Sequence, residues 1–145
     1  MESDPHWLVV LDTNIVLDLL VFADPATVPL RAALDAGRCQ WIATRAMRDE
    51  LARVLHYPQV AKRLAFHGVT PPEVLSRMDA LVLRWEAAPP KAPVTCKDAD
   101  DQIFIDLAVA FKARLLSKDH AVLCMAKRLR ALGVQAHSAF SSETV

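Results

Sequence analysis

The chain has 145 residues, of which 53% are hydrophobic and 23% charged, and its formal net charge is zero. That length and apolar content suit a single domain, residues 1–145, with a real core. The balanced charge excludes a globally basic nucleic-acid binder and leaves any affinity for phosphates to local patches.

The first element is Trp7-Leu8-Val9-Val10-Leu11, an unbroken apolar run that ends on Asp12-Thr13-Asn14. Such a run suits a strand covered on both faces, as central parallel strands are. Asp12 then stands where open α/β sheets hold their ligands, outside the carboxyl ends of the strands. Asp is equally a good N-cap, so Asp12 alone fits either a site or the cap of a helix from Thr13 to about Ala23.

A second helix starts at Asp24-Pro25 and stops at Gly37. Cys39 to Ala43 is short and β-prone, and Thr44 can cap a helix from Arg45 to about His56 whose apolar positions are Met47, Leu51, Val54 and Leu55. Glu50 lies three after Met47 and four before Val54, which turns it inward. An inward carboxylate needs a partner. The competing role for Glu50 is an ordinary pair with Arg53 at i+3.

Two helices follow, one from Pro58 to Gly68 and a longer one from Thr70 or Pro71 through Met78 and Leu81 to Val82 and Trp85. Ala88 to Pro93 is a rigid connector into a short strand, Val94-Thr95-Cys96. Next come a helix through Ile103, Phe104, Leu107 and Phe111, a strand Arg114 to Ser117, a helix from Val122 to Gly133, an edge strand Val134 to His137 and a loose tail, residues 138–145. The order predicts a three-layer α/β sandwich with a mainly parallel central sheet of about five strands flanked by helices.

Cys39, Cys96 and Cys124 are odd in number, widely spaced and without a CxxC pair, so they read as buried free thiols rather than disulfides or a zinc site. The N-terminal Met1-Glu2-Ser3-Asp4-Pro5 has neither the basic region nor the apolar stretch of a signal peptide. With no run long enough to span a membrane, the chain reads as cytoplasmic.

Four segments deliver an acid to one end of this sheet: Asp12 and Asp119 at strand ends, Glu50 on an inward helix face, and Asp101 on the buried stripe of the helix that carries Phe104, Ile105 and Ala108. Asp100 is turned about 100° from that stripe, Asp106 points to solvent, and Asp98 precedes the helix as a cap or as an acid that orients a metal's water. Four converging carboxylates raise one another's pKa unless a cation compensates them. Hard oxygen ligands without His or Cys favour Mg²⁺ or Mn²⁺, and this arrangement serves phosphoryl chemistry on nucleic acids, where the metal activates water and stabilises charge on the phosphate.

The VVLDTN segment, Glu50 in TRAMRDEL, the Asp101 helix and LLSKD ending in Asp119 together resemble the PIN domain, a fold of metal-dependent ribonucleases that includes toxin components of bacterial toxin–antitoxin systems. The likeness runs roughly from Leu8 to Phe140. It implies that Asp12, Glu50, Asp101 and Asp119 bind the metal, that a small polar residue, Asn14 or Ser117, orients the site, and that an RNA phosphodiester is hydrolysed. It further implies a homodimer and a cognate antitoxin protein. Many members carry another acid or Asn two positions after the last metal-site Asp; Ala121 stands there in this chain, against a fifth ligand.

Arg45, Arg48, Lys97 and Lys118 are the basic side chains placed to hold flanking phosphates. His120, alone at a helix start, reads as a surface residue. Two other readings compete. One is a PIN-like RNA-binding or scaffold module without productive cleavage, against which the four intact acids argue. The other is a phosphohydrolase of the haloacid dehalogenase type, which needs a second Asp where this chain has Asn14.

Overall fold

The computed structural model describes residues 7–140. Five strands, β1 (Trp7–Leu11), β2 (Cys39–Thr44), β3 (Val82–Glu86), β4 (Arg114–Leu116) and β5 (Ala136–His137), form one sheet in the order β3-β2-β1-β4-β5. Every pairing in it is parallel. The three inner strands carry the apolar runs that burial on both faces demands: Val9 and Val10 of β1, Ile42 of β2 and Leu115 of β4 are sealed from solvent.

Helices flank this sheet. They are α1 (Thr13–Leu17), α2 (Val28–Asp35), α3 (Arg45–Val54), α4 (Pro58–His67), α5 (Pro71–Leu81), α6 (Gln102–Phe111), α7 (His120–Leu123) and α8 (Ala126–Ala131). α6 packs on β1 and β4, while α2 and α3 pack on β2. Phe104, Ile105, Leu107 and Ala108 of α6 are buried, each large side chain contributing roughly 1.5–3 kcal/mol of transfer free energy. α1 runs on into a π-helical turn, Asp18–Phe22, which closes at Ala23 in the left-handed conformation (φ 49°). Among the described residues no helix is long and apolar enough to cross a membrane.

The third strand is not where the sequence places it. α5 starts as expected, with Thr70 and Glu73 forming a reciprocal capping box. It stops at Leu81, and Val82 to Glu86 pair directly with β2 as an edge strand. No turn residue separates helix from strand, so one apolar pattern runs across the junction. Val94 to Cys96 form no strand, because their backbone is satisfied by α6: Gln102 Nε2 donates to the Val94 carbonyl and Gln102 Oε1 accepts from Cys96 N–H.

Three smaller expectations are corrected as well. The last long helix is broken at Cys124 and Met125 into α7 and α8. Cys124 is an exposed thiol, whereas Cys39 and Cys96 are buried. Phe140, assigned to the loose tail, is 4% exposed and packs edge-on against Trp7, with ring centroids 5.7 Å apart. The rest of that tail, residues 141–145, lies outside the described residues.

Candidate metal centre

Strand order reverses between β1 and β4. Successive strands step outward from β1 to β3, then the chain crosses to the other side of β1. Such a switch point opens a crevice at the carboxyl ends of the two central strands, and the chain places its acids there. β1 ends at Leu11, opposite Leu116 of β4, so Asp12 faces Ser117, and the Asp12 N–H donates to the Leu116 carbonyl at 2.9 Å.

Asp12 caps α1 and also stands in a group of acids. Its Oδ1 accepts from Thr13 N–H at 2.6 Å at the start of α1, and Oδ2 accepts from the Ser117 hydroxyl. Ser117 is fully buried, and its Oγ also accepts from Asp119 N–H at 2.9 Å. Asp119 caps α7 through Ala121 N–H, 2.9 Å from Oδ1. Asp101 comes from the 3₁₀ turn Ala99–Asp101 ahead of α6, a turn held by Asp98, which accepts from Asp100 N–H. One carboxylate oxygen from each of Asp12, Asp101 and Asp119 lies within 4.8 Å of the other two.

The electrostatics of this cluster are those of acids lacking a counter-charge. Burial first, then a hydrogen bond to Asp119 and the charges of Asp12, Asp119 and Asp98, push the Asp101 carboxyl up to about 8. Burial also raises Asp12; hydrogen bonds from Ser117 and Thr13 oppose the rise, and the charges of Asp119 and Glu50 add to it. Asp101 Oδ2 is sealed from solvent with no hydrogen-bond partner. A buried, unpartnered carboxylate oxygen is costly to leave so. All three grouped residues offer carboxylate oxygens, which suits a hard divalent cation.

The other expected site residues fall around this cluster. Glu50 is partly buried on α3 but bonded to Arg53, so the structure does not bring its carboxylate into the three-acid group, although its charge acts on Asp12. Asn14 Oδ1 accepts from Lys118 N–H at 3.4 Å. Three of the four basic candidates are engaged by acids: Arg45 by Asp49, Arg48 by Asp79 in a two-pronged pair at 2.8 Å, and Lys118 by Asp18 at 2.5 Å. Lys97 is exposed and has no ion-pair partner among the described residues. Asp106 does not point to solvent; its Oδ1 accepts from Ala92 N–H and Gln102 Nε2. His120 is exposed at the start of α7. Sequence reasoning missed Asp18, a buried acid on the first helix; its one signal was a carboxylate inside the run Ile15 to Phe22.

An all-parallel sheet with acids converging at its switch point defines an α/β domain with an acidic crevice outside its central strands. The PIN domain family model matches residues 8–121, and the chain belongs to that family. PIN domains are generally nucleases and typically use a divalent metal. No curated protein matches the chain. Among solved structures it is similar to a domain of a functionally unknown protein from Methanocaldococcus jannaschii DSM 2661, with 14% identity, 96% of this chain and 95% of that one covered, and a TM-score of 0.43.

Proposed function

We propose that the protein is a Mg²⁺- or Mn²⁺-dependent endoribonuclease, the toxin half of a toxin–antitoxin pair, acting in the cytoplasm as a homodimer. The observation that carries the nuclease reading is the cluster of Asp12, Asp101 and Asp119, in which Asp101 also keeps a buried oxygen without a hydrogen-bond partner. These three side chains would hold the cation, and Glu50 would join them on releasing Arg53. A bound divalent ion supplies an activated water and stabilises charge on the scissile phosphate. Ser117 keeps Asp12 and Asp119 in one orientation through its two hydrogen bonds. Lys97, exposed and near the start of the Asp98–Asp101 turn, has no ion-pair partner among the described residues, and of the four basic candidates it would meet a flanking phosphate.

The deciding experiment incubates the purified protein with total RNA in Mg²⁺, Mn²⁺ or EDTA. Cleavage in either metal and none in EDTA is expected; equal cutting in EDTA would overturn the metal mechanism. RNA binding without cleavage under any condition would favour the scaffold reading. The toxin assignment rests on family resemblance and has its own test: expression alone should arrest growth, and a small protein encoded beside it should relieve the arrest.

A further inference from the structure

Lys118 stands between Ser117 and Asp119, the two residues that carry β4 into the acid cluster. A lysine adjacent in sequence to Asp119 brings an ammonium that would compensate the acids if it turned towards them. It does not do so. Its Nζ lies 2.5 Å from Oδ2 of Asp18, on the π-helical turn that continues α1.

We propose that Asp18 holds the Lys118 ammonium out of the acid cluster, and that this pair thereby sets the cluster's affinity for a divalent cation. The inference rests on the metal reading above and assigns Asp18 and Lys118 a positioning role in it. Two observations support it besides the pair itself. Asp18 is only 7% exposed, and a buried carboxylate needs its counter-ion; among the described residues Lys118 is the basic group that pairs with it. The second concerns the helix face. Asn14 and Asp18 are four apart, one turn of a helix, and Asn14 takes the Lys118 backbone N–H while Asp18 takes its side chain. One face of the first helix thus fixes both ends of this lysine.

A π turn begins at Asp18 and closes with the Ala23 and Asp24 N–H groups both donating to the Asp18 carbonyl. Such turns recur at functional sites.

The test is calorimetric titration of Mn²⁺ into the full chain and its variants. Asp18→Asn removes the counter-charge and frees the ammonium to enter the cluster, so Mn²⁺ binding should weaken by at least about tenfold. Asp18→Asn combined with Lys118→Met removes both charges at once, leaves no buried unpaired ion and should return the affinity to near wild type. If Asp18→Asn binds Mn²⁺ as the wild type does, the inference is wrong. It is equally wrong if the double variant stays as weak as Asp18→Asn, since the pair would then only be bracing the loop. Should the wild type bind no Mn²⁺ at all, the metal reading fails, and a metal-free crystal structure of Asp18→Asn judges the pair by itself. Lys118 Nζ bonded to Asp12, Asp101 or Asp119 would support the claim that Asp18 holds the ammonium out of the cluster, the affinity role having fallen with the metal; Nζ still directed at position 18 would overturn that claim too.

Discussion

The hydroxyl of Ser117 donates to Asp12, and the same oxygen accepts the N–H of Asp119, so one fully buried side chain ties the acid after β1 to the acid after β4. Ser117→Ala should remove both bonds and leave the Asp119 N–H without this acceptor. The expected cost is about 1–3 kcal/mol in denaturant unfolding. Since the Ser117 bond is what most opposes the upward shift of Asp12, the variant should also need a higher pH to bind metal. A variant as stable as wild type with an unchanged pH profile would show that the bridge is incidental.

Stability of the metal-free protein should fall as pH rises. Burial and the neighbouring acids push the Asp101 carboxyl up to about 8 in the folded chain, from an ordinary 3.8. A folded pKa raised in this way means the native state keeps a proton that the unfolded chain has released. The contribution is therefore fully present below about 4, drains away as pH climbs towards 8 and is constant beyond, amounting to a few kcal/mol at most. Chemical denaturation across that range should show the slope. Asp101→Asn should flatten it, and saturating Mg²⁺ should flatten it too by stabilising the ionised cluster at high pH. A wild-type slope of the opposite sign would refute the assignment.

Much of this arrangement is legible in the residues. Trp7 to Leu11 and Arg114 to Leu116 announce central strands by unbroken apolar runs, and Asp12, Asp101 and Asp119 follow from where those runs and the α6 stripe end. What misleads is the absence of punctuation. α5 and β3 join without a turn, so Val82 and Trp85 fit a helical period as well as a strand. Asp106 is solvent-facing only on a helical wheel, because a wheel cannot foresee a loop that returns over it to place the Ala92 N–H on its carboxylate. Phe140 is buried through contact with Trp7, a partner from the opposite end of the chain that no local pattern reveals. Asp18 escaped for the same reason, since Lys118 lies on a distant segment.

Glu50 tests whether the fourth acid belongs to the metal or to the helix surface. Its bond to Arg53 joins a partly buried carboxylate to an exposed guanidinium in a solvent-exposed bond, and surface pairs of this kind contribute roughly 0–1 kcal/mol. Glu50→Gln should thus unfold within about 0.5 kcal/mol of wild type while losing Mn²⁺ affinity and RNA cleavage. Arg53→Ala should do the reverse, leaving stability intact and binding Mn²⁺ at least as tightly because the carboxylate is released. Unimpaired metal binding by Glu50→Gln would confine Glu50 to its pair with Arg53.

The acids around α6 should separate cleanly into metal, turn and scaffold roles. Asp101 has the unpartnered oxygen in the cluster, so Asp101→Asn should abolish cleavage at saturating Mg²⁺ and, by removing charge repulsion, leave the metal-free protein at least as stable at pH 8. Asp98 both caps the 3₁₀ turn that presents Asp101 and adds charge beside it, so Asp98→Asn should be intermediate. Asp100 is exposed and bonded only through its backbone, and Asp100→Asn should match wild type. Asp106 is the informative contrast. Its Oδ1 accepts from Ala92 N–H at 2.9 Å and from Gln102 Nε2 at 2.8 Å, and Gln102 in turn holds the Val94 to Cys96 backbone. An amide keeps that acceptor and a methyl does not. Asp106→Asn should therefore stay near wild type, whereas Asp106→Ala should lose about 1–3 kcal/mol of stability with cleavage per folded molecule retained. Activity lost in Asp106→Ala at a temperature where it remains folded would move Asp106 from the scaffold into the site, and an active Asp101→Asn would remove the keystone of the cluster.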